Sequence, residues 1–137
     1  MISERDTGFL EGMIEGEGYI GLNKAKNIDC KRGFQWKPIL SISNDSLEIL
    51  HKLKKICDGG YFISKYGKKR EFRLSSNKLR EILPKLSFVN KRKQATLILK
   101  ALKLLETNRY RKNSERSFND KELERIHKEI KKLNSGK

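Results

Sequence analysis

The chain has 137 residues, enough for one domain with its own core, and carries 32 Lys and Arg against 17 Asp and Glu, a net charge of +15. An excess of that size predicts a polyanionic partner, because neutralising phosphates releases counterions, and it argues against a surface balanced in sign. Cys30 and Cys57 form no CxxC, and with His51 and His127 they complete no zinc spacing; this excludes a disulfide scaffold and fits a reducing intracellular compartment, a bacterial or archaeal cytoplasm or an organelle.

The first predicted element is a helix from Ser3 to Gly16, capped by Ser3 or Asp6. Gly8, Gly12 and Gly16 fall on one face of it. Glycine inside a helix costs about 0.8–1 kcal/mol relative to alanine. A stripe of glycines therefore predicts that another backbone approaches closely, with Phe9, Leu10, Met13 and Ile14 packed around the seam. Glu15 and Glu17 stand where the glycines end the helix, which makes it both an interface and the carrier of an active-site acid.

A strand follows from Tyr19 to Lys24, then a polar, basic loop to Arg32. The second strand runs from Phe34 to Ser43, and Pro38 within it argues for an edge or a bulge. Asn44-Asp45-Ser46 opens a helix through Leu47, Leu50, Leu53 and Cys57, which Asp58-Gly59-Gly60 ends. A hairpin comes next: Tyr61 to Tyr66, a basic turn at Gly67-Lys68-Lys69, and Arg70 to Ser75. A short helix from Asn77 to Leu83 stops at Pro84. A long amphipathic helix spans Lys91 to Glu106, with Ala95, Ile98, Leu99, Leu102 and Leu105 on one face. Thr107 to Phe118 reads as a connector. A last helix, capped by Asn119 or Asp120 and ending near Leu133, carries the stripe Leu123, Ile126, Ile130 and Leu133. The most apolar run, Ala95 to Leu105, is broken by Lys100 and Lys103, so no membrane span and no membrane partner is expected.

These elements predict an α+β fold with an αββαββα core over residues 1–106. Residues 107–137 add a connector and C-terminal helix to the same single domain. Alternation in the strands buries one sheet face under helices and turns Asn23, Gln35, Lys37, Ser41, Ser43, Lys65, Glu71 and Arg73 outward. Any solvent-facing sheet is polar, but the net charge favours a surface that reads base edges of double-stranded DNA. Lys24 joins that set. Lys68, Lys69 and Arg70 in the turn either track phosphates or protect a strand edge.

Leu10-Glu11-Gly12-Met13-Ile14-Glu15-Gly16-Glu17-Gly18 resembles the motif of the LAGLIDADG homing endonucleases, and the element order from Gly8 to Leu105 is similar to that family's core. Asn90-Lys91-Arg92-Lys93-Gln94-Ala95 resembles the basic segment opening the family's later helix. Ile42-Ser43-Asn44-Asp45 resembles the stretch closing its second strand, where members carry an amide. The resemblance implies a saddle-shaped antiparallel sheet that binds DNA. With a single motif copy it implies a homodimer through Phe9, Gly12, Met13 and Gly16. It implies Glu17 as metal ligand and catalytic acid, with Mg²⁺ as cofactor, Mn²⁺ as substitute, and Ca²⁺ binding without supporting cleavage. Many members carry aspartate at this position; glutamate is one methylene longer. Lys91 matches a lysine that stabilises transition-state charge or orients water; the bland reading is a solvated helix start. Asn44 matches the amide that positions water and would equally serve as a helix cap. Glu15 is assigned to structure, and Cys30, Cys57, His51 and His127 to no catalytic role. The implied activity is Mg²⁺-dependent cleavage of both strands of a long, near-palindromic DNA site across the minor groove, leaving 3′ overhangs. The alternative is a catalytically weakened relative serving as an RNA-splicing maturase or DNA-binding regulator.

Overall fold

A computed structural model describes residues 2–26, 28, 33–65, 69–109 and 119–135. The element order is α1 (Glu4–Glu17), β1 (Gly18–Lys26), β2 (Phe34–Ser43), α2 (Leu47–Cys57), β3 (Tyr61–Lys65), β4 (Lys69–Leu74) and α3 (Ser76–Ile82). A 3₁₀ turn (Leu83–Lys85), α4 (Arg92–Arg109) and α5 (Asp120–Ser135) complete it. The strands form a four-stranded antiparallel sheet in the order β1-β2-β4-β3.

Local chemistry accounts for the boundaries. Ser3, Ser46 and Ser75 each precede a helix and accept a backbone N–H of its first turn through the hydroxyl. Ser46, rather than Asn44, is therefore the cap of α2. Asp58 closes α2 in the left-handed conformation, and Gly60 follows at φ +97° with the Phe72 ring against the place a Cβ would occupy. At Pro84 the chain tightens into a 3₁₀ turn instead of stopping. β1 runs two residues past Lys24, because Lys24, Ala25 and Lys26 keep register with Trp36, Gln35 and Phe34. Helix α4 likewise extends to Arg109.

Pro38 lies in a strand with neighbours on both sides, yet no ladder bond is lost. β4 pairs with β2 only over Leu40 to Ser43, so β2 is an edge where Pro38 stands. Its partner Leu22 turns its carbonyl outward to His127, which makes Leu22 and Pro38 a non-hydrogen-bonded pair.

One sheet face packs against the helices. Ile20, Leu22, Trp36, Leu40, Ile42, Phe72 and Leu74 meet Leu10 and Ile14 of α1, Leu50 and Leu53 of α2, Leu79 and Ile82 of α3, Ile98 and Leu102 of α4, and Leu123, Ile126 and Ile130 of α5 in one buried cluster. Helix α5 also closes the outer edge of β1. The His127 Nδ1 lies 2.6 Å from the Leu22 carbonyl, which can only accept, so Nδ1 carries the proton. The Asn134 Nδ2 donates to the Ile20 carbonyl at 3.0 Å, and the Trp36 Nε1 donates to Asp120 at 3.1 Å.

Candidate active site at the foot of the first helix

Helix α1 buries Leu10 and Ile14 and leaves Gly8, Gly12 and Gly16 exposed; a Cβ added at any of the three would meet nothing within 4 Å. The glycine face therefore meets nothing among the described residues of the protomer. Phe9 and Met13 are half-buried beside the core, and the Lys52 ammonium sits 4.2 Å from the Phe9 ring centroid. At the C-terminal end the chain turns directly into β1 at Gly18. A Cβ there would strike the Ile14 backbone, so only glycine allows the turn.

Glu17 is the last residue of α1 and is exposed. Its Oε2 accepts from the Asn44 Nδ2 at 2.8 Å. The amide cannot rotate freely, because the Asn44 Oδ1 accepts the Ser46 backbone N–H at 2.8 Å. Asn44 is in turn tied to β4 by its own N–H, which donates to the Arg70 carbonyl at 3.1 Å. Glu17, Ser43, Asn44, Asp45 and Arg70 together line an open cleft of about 320 Å³. A carboxylate at the C-terminal pole of a helix lies in the negative end of its dipole, a setting that favours a cation. Among the described residues no cluster of three or more His, Cys, Asp or Glu forms a ready-made metal cage.

Lys91 does not reach this cleft as a free charge. Its Nζ donates to the carbonyls of Ile14 at 2.6 Å, Glu15 at 3.1 Å and Gly18 at 2.7 Å, so all its protons are used in capping α1. The sequence expectation for Lys91 at the reacting phosphate does not include these contacts: a run of basic residues does not reveal that one ammonium folds back on a distant helix end. Burial pushes the Lys91 ammonium below the ordinary lysine value, against the opposing pull of Glu15. Glu15 returns the contact, accepting the backbone N–H groups of Val89, Asn90 and Lys91 just before α4. Burial works to raise its carboxyl, but these three donors and Lys91 outweigh it and hold Glu15 below the usual carboxylate value. One turn earlier, Glu11 accepts from the Ser87 N–H.

The outer sheet face carries Asn23 and Lys37 exposed and Gln35, Glu71 and Arg73 half-buried. The Arg73 Nε donates to the Glu71 Oε2 at 2.9 Å, so this arginine is already paired. Ser41 has the outward parity but is 6% exposed, flanked across the strands by Tyr19 and Arg73; it is withdrawn from the DNA-contact set. Lys24 is corrected too. As a strand residue it shares the parity of Ile20 and Leu22 and so lies on the helix side, 4.2 Å from the Phe34 ring centroid and 3.3 Å from the Glu124 carboxylate. Lys68 and the side chains of Lys65 and Lys69 lie outside the described residues.

Asp45 is the cleft residue that capping chemistry hid, since a short polar run before a helix reads first as its start. Among the described residues, burial pushes the Cys57 thiol up to about 11 and His51 stacks edge-on to Phe62, while Cys30 lies outside the described residues.

Solved structures share this architecture. I-Vdi141I, an archaeal intron-encoded homing endonuclease complexed with DNA, matches 98% of this chain and 87% of its own with a TM-score of 0.82 and 20% identity. The homing endonuclease I-CvuI, in complex with a DNA target in the presence of Mg, matches 98% of this chain and 87% of its own at TM-score 0.79 and 22% identity.

This chain has the LAGLIDADG homing endonuclease fold.

The LAGLIDADG homing endonuclease I-SmaMI, bound to cleaved DNA, is 28% identical over 77% of this chain at TM-score 0.67, and the match spans 38% of the I-SmaMI chain. By sequence, no family model and no curated protein matches. The LAGLIDADG fold is thus carried here by α1, the four-stranded sheet and the helices behind it, with Glu17 at the helix foot.

Proposed function

We propose that the chain is a site-specific, Mg²⁺-dependent DNA endonuclease that works as a homodimer. The observation that carries the reading is Glu17: an exposed carboxylate at the foot of a glycine-faced helix, held by Asn44, in a fold whose solved neighbours are homing endonucleases on DNA. The outer sheet face, with Asn23, Gln35, Lys37 and Arg73, offers the donors and acceptors that base edges require.

The donor set fits a hard cation. Glu17 and Asp45 supply carboxylate oxygens and Asn44 an amide, and Mg²⁺ commonly takes one or two carboxylates and completes its shell with phosphate oxygens and water. Held there, such an ion would supply polarisation of a phosphoryl oxygen and a lowered pKa for attacking water. The chain's own part is to aim Glu17 through Asn44 and to fix the α1 terminus through Lys91. The open face of Gly8, Gly12 and Gly16 supports the dimer, since it would let a second α1 approach closely and bring two Glu17 sites together, one for each strand.

The test is selection of cut molecules from a randomised duplex library with Mg²⁺. The wild type is expected to enrich a long, near-palindromic site, and Glu17→Gln to bind that site without cutting it. Undiminished Mg²⁺-dependent cutting by the variant would remove Glu17 from the mechanism.

A further inference from the structure

Among the described residues the cleft is lined by one cation, Arg70, which the sequence leaves between tracking phosphates and protecting a strand edge. Arg70 stands near the start of β4 with the parity of Phe72 and Leu74, which turns it to the helix side, away from the face that carries Glu71 and Arg73. Its carbonyl receives the Asn44 N–H, so its backbone is fixed to the residue that aims Glu17. Arg70 lines the same cleft as Glu17. It is exposed and makes no ion pair or side-chain hydrogen bond among the described residues, whereas Lys24, Arg73, Lys78, Lys100 and Arg125 are all paired with carboxylates. Lys91, the lysine that the resemblance of the segment before α4 offers for the reaction, donates to three carbonyls of the α1 end.

We propose that Arg70 is the cationic catalytic residue of this site. It meets the non-bridging oxygens of the scissile phosphate beside Glu17 and neutralises the charge that builds on them. The inference rests on the endonuclease reading above. In the reaction, water adds its oxygen to phosphorus, one P–O ester bond breaks, the leaving oxygen takes up a proton and the water gives one up. Arg70 is neither acid nor base in that balance, and its guanidinium stays protonated throughout. Its planar fork matches two phosphate oxygens at once, which a lysine cannot do. The carboxylates of Glu17 and Asp45 would repel a phosphodiester, so a fixed cation in the same cleft also favours its entry.

The duplex enriched by the wild type is the substrate for the test. Single-turnover cleavage is measured with Mg²⁺, and affinity with Ca²⁺, for the wild type, Glu17→Gln, Arg70→Ala and Arg70→Gln. Both Arg70 variants are expected to lose roughly 10²-fold or more in rate, the scale of removing one transition-state donor, with little change in affinity. Arg70→Gln keeps most of the stem and its polarity, so it reports the charge even if the alanine variant is poorly folded. Added millimolar guanidinium should restore part of the rate to Arg70→Ala and none to Glu17→Gln, a response that a structural role would not give. Arg70→Gln cutting at the wild-type rate while Glu17→Gln is dead overturns the Arg70 assignment alone. A loss confined to affinity does the same, making Arg70 a backbone contact. A wild type that cuts nothing in the library overturns the endonuclease reading and this inference with it.

Discussion

Glu15 and Lys91 each finish the other's helix. The carboxylate collects three N–H groups ahead of α4, and the ammonium collects three carbonyls at the end of α1. Hydrogen bonds to charged groups contribute about 1.5–3 kcal/mol, so Glu15→Ala should lower unfolding stability by about 2 kcal/mol, read from urea denaturation. The pH dependence has a definite sign. The Glu15 carboxyl is held below its ordinary 4.5 in the folded chain, so its contribution is complete above that value and is lost as pH falls through the folded pKa. Glu15→Gln should therefore flatten the decline of stability below about pH 4.5, and an unchanged acid limb would show that Glu15 does not drive it. At this scale the structural task of Glu15 was legible, because motif position sets it apart from Glu17, an acid that looks alike. Lys91 was not, since its partners are main-chain carbonyls that leave no mark on residue type. Lys24 was misplaced for another reason: its side of the sheet depends on whether the strand continues past it, and the Trp36 and Phe34 rings that favour continuation lie across the sheet.

Among the elements, α1 faces two ways. Its Leu10–Ile14 side is sealed in the core, while the glycine side meets nothing among the described residues of the protomer. A Leu at position 12 would have room in the isolated chain, so Gly12→Leu should leave the protomer folded and shift sedimentation toward monomer. A dimer unaffected by the change would move the seam elsewhere. The stripe could be read in the sequence because helical period alone puts the glycines on one face. That the face is external could not, because the same spacing serves an internal helix contact equally well. Strand parity was equally readable for Asn23 and Lys37. The burial of Ser41 needed the register, since its covering neighbours Tyr19 and Arg73 arrive from two other strands.

For the molecule as a whole, the core puts every helix behind the sheet and leaves the polar face clear, which is why element order was enough to anticipate the fold. With +15 charges, association with DNA should be dominated by released counterions. Affinity should fall roughly 10³-fold or more between about 50 and about 200 mM salt if six or more phosphates are contacted; a flat titration would count against phosphate-led binding. Helix α5 has a further consequence, during synthesis. His127 and Asn134 occupy the outward carbonyls of β1, and they lie more than a hundred residues after them in the chain. While the ribosome is still making α5, the growing sheet presents an open edge of the kind that recruits strands from neighbouring chains. The arrival of α5 therefore limits how long the β1 edge of each new molecule is exposed to aggregation.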